Sequence, residues 1–247
     1  LANQGVKMKA FTQGITKQEF LKEIYWHRDQ DAFIKGTYAE GEGKNFQGCA
    51  VGCSLNSVAR IKGIEISTSS HKEYETHLGI PQWVARLEDR IFEGLPKERS
   101  KRWPVEFAEA VNEGADLEKI KIPMLIFIVE QARTKTTNER SLKAIDGVLT
   151  ELRKDVLDLT QLREARRAAA AAAAAAAYAA AAAAYAAAYA AAYAAAAADA
   201  AAAAAAAYAA AAYAAYAAYA ADDAAYARSN AYVVFADKLL ELMRNCH

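Results

Sequence analysis

Three shortages frame this sequence of 247 residues. It has only three cysteines, Cys49, Cys53 and Cys246. So few, and an odd number, exclude a disulfide framework and make a reducing, cytoplasmic setting the expectation. It has no excess of charge: 30 Lys plus Arg stand against 30 Asp plus Glu. That balance argues against a nucleic-acid binder that relies on a strong positive field. It also offers no segment suited to export or to a bilayer. Leu1 to Phe11 lacks the apolar stretch of a signal peptide. The one run long enough to span a membrane is mostly alanine, without Leu, Ile or Phe, and alanine is nearly neutral for insertion. No membrane partner is expected. Residues 1–7, ahead of Met8, read as a tag remnant or an upstream extension.

What is present in excess is alanine. From Ala168 to Ala227 the chain holds 48 Ala, 9 Tyr and 3 Asp in 60 residues, and nothing else. The hydrophobic share of 54% is inflated by these methyl groups, so the rest of the chain must supply nearly all the Leu, Ile, Val and Phe of a core. Alanine is the best helix former, and neither Gly nor Pro interrupts the tract. At about 100° per residue, Tyr178, Tyr185, Tyr189 and Tyr193 form one stripe, and Tyr208, Tyr219 and Tyr226 a second. A single rod would be about 90 Å long. A hairpin turning near Asp199, with that residue as N-cap, would bring the stripes together and is the preferred arrangement. The tyrosines then act as packing anchors with their hydroxyls at the rim. A ladder stacking planar ligands on Tyr178, Tyr185 and Tyr189 is the sharper alternative. The tract has no Lys or Arg, so nucleic acid is not an expected partner. Self-association through the tract is.

The remainder reads as mainly helical. Thr16 and Glu19 have the spacing of a capping box, followed by Phe20, Leu21, Ile24 and Tyr25 at helical intervals. That pattern predicts a helix to about Ile34, closed by Gly36. Five glycines between Gly36 and Cys53 argue against helix and for a small hairpin. Val58 to Ile66 alternates weakly, as a strand or a loop would. Ser70 with Glu73 suggests a second box, and Pro81 a helix start with Gly94 as its end. Pro104 is expected to open a short helix ending near Gly114. Pro123 should open a buried one through Met-Leu-Ile-Phe-Ile-Val. Thr136 and Glu139 are expected to cap a helix with Leu142, Ile145, Leu149, Leu152, Val156 and Leu159 along one face. Ser229 or Asn230 would cap a last helix whose apolar face must return to the core. The domain plan is then a globular helical domain over 8–166 with a small Gly-rich β-hairpin, a helical arm over 167–229, and a returning helix over 230–247.

Reactive side chains concentrate in the first ninety residues. His27 and Asp31 are four apart, so on a helix they share a face, with Arg28 beside them. An imidazole oriented by a carboxylate and a surface ion pair both fit that spacing. Cys49 and Cys53 flank Ala-Val-Gly, with His71 and His77 downstream. Zinc accepts such residues, but the spacing matches no strong finger pattern, so no metal is assigned. A nucleophilic Cys49 or Cys53 with His71 or His27 as base is a second possibility. The plainer reading is that small Cys and Gly residues permit tight backbone packing. Gly43 to Gly48 has the gap of a phosphate loop, yet Cys49-Ala50 stands where Lys-Ser/Thr is required. Glu88 and Asp89 are adjacent and read as solvent or capping charges. None of these patterns calls for a cofactor.

His27-Arg28, Gly48-Cys-Ala-Val-Gly-Cys53, His71, Leu78-Gly-Ile-Pro81, Leu87-Glu-Asp89 and Ile91-Phe-Glu-Gly-Leu-Pro96, with the Ala-rich aromatic tail, resemble a family of uncharacterised bacteriophage and metagenomic proteins. The likeness runs from Met8 over nearly the whole chain. It implies a phage or bacterial cytoplasmic context and carries no reaction. Relatives tend to bear Trp or charged residues in the tail where this chain has Tyr and Ala. Two functions are expected from these readings. One is a non-enzymatic binding or assembly protein, with a ligand pocket from His27, Arg28, Asp31, Gly48, Gly52 and His71. It would sequester a small anionic, nucleotide-like ligand or block a host defence protein. The alternative is an enzyme using Cys49 or Cys53 with His71, nucleophilic or zinc-dependent.

Overall fold

The computed structural model describes residues 8–135, 137, 139–154 and 221–247. The alanine–tyrosine tract up to residue 220 lies outside the described residues, as do the cap at Thr136 and the apolar positions Val156 and Leu159. The rod-or-hairpin question and the roles of Tyr178, Tyr185 and Tyr189 lie there with them. Among the described residues the protein is mainly helical, with eight α-helices and no strand. No helix among them is long and apolar enough to cross a membrane. The chain divides into two compact units, residues 1–120 with 232–247, and residues 121–231.

In the first unit, α1 (Lys17–Asp29) starts on the expected box. The Thr16 hydroxyl accepts from the Glu19 N–H at 3.2 Å, and the Thr16 N–H donates to Glu19 Oε2 at 2.9 Å. Phe20, Ile24 and His27 are its buried face. The helix stops five residues short of Ile34. Asp31 takes a left-handed φ of 49°, and the Ala32 N–H turns back to the His27 carbonyl at 3.0 Å. Beyond it the Gly-rich stretch builds isolated bridges in place of the expected hairpin strands: Glu40 with Gln47, antiparallel, and Phe33 with Gly48, parallel. Left-handed glycines at 36, 41 and 43 break the extended backbone too often for a ladder to grow.

Ala50–Lys62 is a helix, α2, where glycine density argued against one. Gly48 and Gly52 are there because a backbone crosses them. A Cβ at either would lie 2.3 or 1.7 Å from the Tyr38 carbonyl oxygen. The glycines serve close approach rather than a turn, and α2 runs through the weakly alternating segment to a left-handed Gly63.

Next come α3 (Lys72–Leu78) and α4 (Gln82–Gly94), the latter entered from Pro81 as expected. α5 (Lys97–Ala110) starts after Pro96, seven residues earlier than Pro104 suggested, and carries that proline inside it. Its first turns are charged and show no apolar period, so the start is hidden in the sequence. In the second unit α6 (Lys121–Arg133) packs on α7 (Glu139–Leu152). Arg133–Asp146 (2.7 Å) and Arg153–Glu130 (2.6 Å) link them. α6 buries Met124, Leu125, Ile128 and Val129 and leaves Ile126 and Phe127 half-buried, so it has two faces.

The last helix, α8 (Ala221–Arg244), runs straight through Ser229 and Asn230, which are therefore not its cap. From Tyr232 onward it belongs to the first unit, with Tyr232, Ala236, Leu239, Leu240 and Met243 buried. The Tyr232 ring occupies the space a side chain at Gly94 would need, 2.0 Å from an added Cβ. Asp237 pairs with Arg99 at 2.7 Å, and the Asn112 amide donates to the carbonyls of Arg244 and Cys246 at 2.9 Å each.

A candidate site over the start of α2

The residues marked for one pocket separate into two places. His27 is fully buried beneath the 32–48 segment, among the rings of Trp26 (4.9 Å), Phe46 (5.8 Å) and Phe33 (6.2 Å). Neither ring nitrogen has a hydrogen-bond partner. Burial, helped by the nearby Arg60 charge, lowers its pKa to about 4, so it is neutral at pH 7. The expected His27–Asp31 pairing is absent because α1 ends before Asp31. Asp31 instead reaches Lys101 at 2.7 Å, and Arg28 turns outward to Asp29 at 2.8 Å. His27, Arg28 and Asp31 are thus turned to separate surroundings.

His71 and Cys49 do come together, through Asp89. His71 sits just before α3, and its Nε2–H donates to Asp89 Oδ2 at 3.2 Å. Tyr38, carried across the start of α2 by the glycine crossing, donates its hydroxyl to the same oxygen at 3.1 Å. The Tyr38 and His71 rings meet edge to face at 5.8 Å. Side-chain exposures of 14% for His71 and 17% for Asp89 leave this group at the edge of solvent. Cys49 lies beneath it as the N-cap of α2, its sulfur accepting the Gly52 N–H at 3.4 Å and lying within range of the Asp89 charge. Burial, then the Asp89 charge, raise the Cys49 thiol well above the ordinary thiol range.

Cys53, one turn along, is fully buried, and its thiol donates to the carbonyls of Gly48 (3.5 Å) and Ala32 (3.6 Å). Burial raises it strongly too. His77 is engaged elsewhere, with Glu73 at 3.2 Å and Lys62 at 3.1 Å. Among the described residues no three His, Cys, Asp or Glu side chains gather in a way that holds a metal ion.

The adjacent carboxyls are not the surface charges their spacing suggested. Asp89 organises the recess, and Glu88 is wholly buried behind it. Glu88 Oε2 accepts the Tyr74 hydroxyl at 2.7 Å, while Oε1 has no partner. Burial pushes the Glu88 pKa up to about 8, against the lowering effect of the Tyr74 bond, with the Asp89 charge adding to the rise. Tyr38 was invisible in the sequence because nothing in a Gly-rich stretch marks a functional tyrosine. Asp89 had a signal in principle, since a carboxylate in a strongly two-faced helix often anchors a neighbour. A shallow groove lined by Lys17, Leu21, Lys22, Tyr25, Trp26 and Glu113 runs along the outside of α1, on other elements than the recess. Comparison with family models, curated proteins and solved structures finds no match to this chain.

Proposed function

We propose that the protein is a non-enzymatic binding protein whose receptor is the Tyr38–His71–Asp89 recess, taking a small anionic ligand. The observation that carries this reading is the state of the thiols. Cys49 and Cys53 are buried and hydrogen-bonded, and they stay protonated at neutral pH. A protonated, enclosed thiol is a poor nucleophile and a poor zinc ligand. The hydroxyl, imidazole and carboxyl above them are satisfied among themselves yet open at one edge, which suits recognition. A phage-encoded setting, with a host signalling nucleotide or a defence protein as target, follows from the family resemblance. Assembly through the alanine–tyrosine tract belongs to the same proposal, and light scattering tests it: a strict monomer at high concentration removes it.

One observation favours a thiol enzyme instead. Cys49 caps the N-terminus of α2, and a helix N-terminus lowers a cysteine pKa when solvent reaches it, here against the opposing Asp89 charge. Timed alkylation with iodoacetamide separates the readings. The expected result is labelling of Cys49 in the native protein at least about a hundredfold slower than after unfolding. Rapid native labelling that saturates at one thiol, with a midpoint below pH about 7.5, overturns the binding reading.

A further inference from the structure

The charged face of α4 indicates what such a ligand carries. Gln82, Arg86, Asp89, Arg90 and Glu93 fall within one stripe of about 100° on the helix. Two of them are carboxyls, and both are engaged: Asp89 by His71 and Tyr38, and Glu93 by the Gly36 N–H at 3.1 Å. The two arginines are not. Among the described residues Arg28, Arg60, Arg99, Arg133 and Arg153 each hold a carboxylate. Arg102 and Arg244 have no acidic partner but are exposed, where water suffices. Arg86 and Arg90 are half-buried, and among the described residues neither is within ion-pair distance of a carboxylate, the Arg90 charge acting on Glu93 and Tyr38 only from further off.

Arg86 Nε is shut away from solvent with no protein acceptor. A buried donor left unmet is costly, so a native structure that keeps one calls for an explanation. Arg90 follows Asp89 on α4 and shares its stripe. Burial raises the Tyr38 hydroxyl and the Glu93 carboxyl, and the Arg90 charge opposes both rises.

We infer that Arg86 and Arg90, one turn apart on α4, form with His71 a receptor for a phosphate group. Two planar guanidiniums present forked donors to tetrahedral oxygens, and a dianion matches their combined charge better than a single carboxylate does. Tyr38, edge-on to His71, then borders whatever the phosphate is attached to. The inference rests on the proposed binding role of the recess and names the chemistry it recognises.

Isothermal titration of the whole chain with inorganic phosphate and with adenosine 5′-monophosphate tests it. Saturable binding is expected, weakened at least about tenfold by R86Q and by R90Q and unchanged by the exposed control R102Q. Should R86Q fail to fold, R86K and R90Q carry the test, with R86K binding between wild type and R90Q. No saturable binding by wild type up to about 10 mM of either probe overturns the inference, as does equal binding by wild type, R86K and R90Q. Slow Cys49 alkylation alongside absent phosphate binding defeats this inference alone. Fast alkylation alongside retained, arginine-dependent binding defeats only the non-enzymatic reading.

Discussion

Two histidines lie on either side of the same Gly-rich segment and meet opposite fates. His27 is enclosed by Trp26, Phe33 and Phe46 with no polar partner, and burial keeps it neutral. His71 keeps one edge toward solvent and shares the Asp89 carboxyl with Tyr38. The first has become part of the core; the second stays at the edge of solvent. A reactive residue type therefore says little until its surroundings are known. What separates the two is a carboxylate delivered by another helix.

The comparison is broken most severely at the crossing that positions Tyr38. Gly52→Ala places a methyl against the Tyr38 carbonyl, where an added Cβ would be 1.7 Å from the oxygen. The obstacle is backbone and cannot rotate away. The expected cost is more than about 4 kcal/mol, read as lost cooperative unfolding or a collapse of the urea midpoint. A variant as stable as the parent would mean that the segment does not press on α2.

A smaller effect sharpens the polar side. The Glu88 pKa is raised to about 8 when folded, from an ordinary 4.5, so the folded state holds its proton more tightly. Stability from this group is full below pH 4.5, falls as pH rises, and is lost by pH 8. The slope amounts to about 4 kcal/mol across that window. In Glu88→Gln the slope should vanish, because the amide stays neutral and its oxygen still accepts the Tyr74 hydroxyl. Chemical denaturation at pH 5 and pH 8 measures the difference, and an unchanged slope in the variant would show that Glu88 is ionised in the fold.

The aromatic side is expected to respond least at neutral pH and in the opposite sense on acidification. The His27 pKa falls to about 4 from 6.5, so the unfolded chain takes the proton first. Its contribution is complete above pH 6.5 and lost as pH drops toward 4, about 3 kcal/mol in all. His27→Phe should match the parent in stability at pH 7 and remove that acid slope, as followed by thermal melting across pH 4 to 7. A large loss at pH 7 would show that the imidazole does something a phenyl ring cannot.

Much of the helical frame was legible, because capping and periodicity are local. Thr16 with Glu19, Pro81 and Gly94 marked real ends. The errors share a cause. Gly48 and Gly52 look like chain breakers, yet their role depends on Tyr38 arriving from ten and more residues away. Pro104 looks like a start, yet the helix begins at Lys97 among charges that show no period. The site was half legible for the same reason. Cys49 and His71 were singled out together and do share a neighbourhood, but the carboxylate joining them stood in a helix whose charges all looked alike. Arg86 and Arg90 carry no sequence signal, since a missing partner is a property of three-dimensional surroundings.

The grip of Asn112 on the backbone around Arg244 and Cys246, with Tyr232 seated on Gly94, has a bearing on synthesis. The unit that holds the recess is assembled from residues 1–120 and 232–247, so its closing piece leaves the ribosome more than a hundred residues after the rest. Until then the faces that receive Tyr232 and Leu239 stand open to water and to chaperones. The entropy of closing so long an interval grows only with the logarithm of its length.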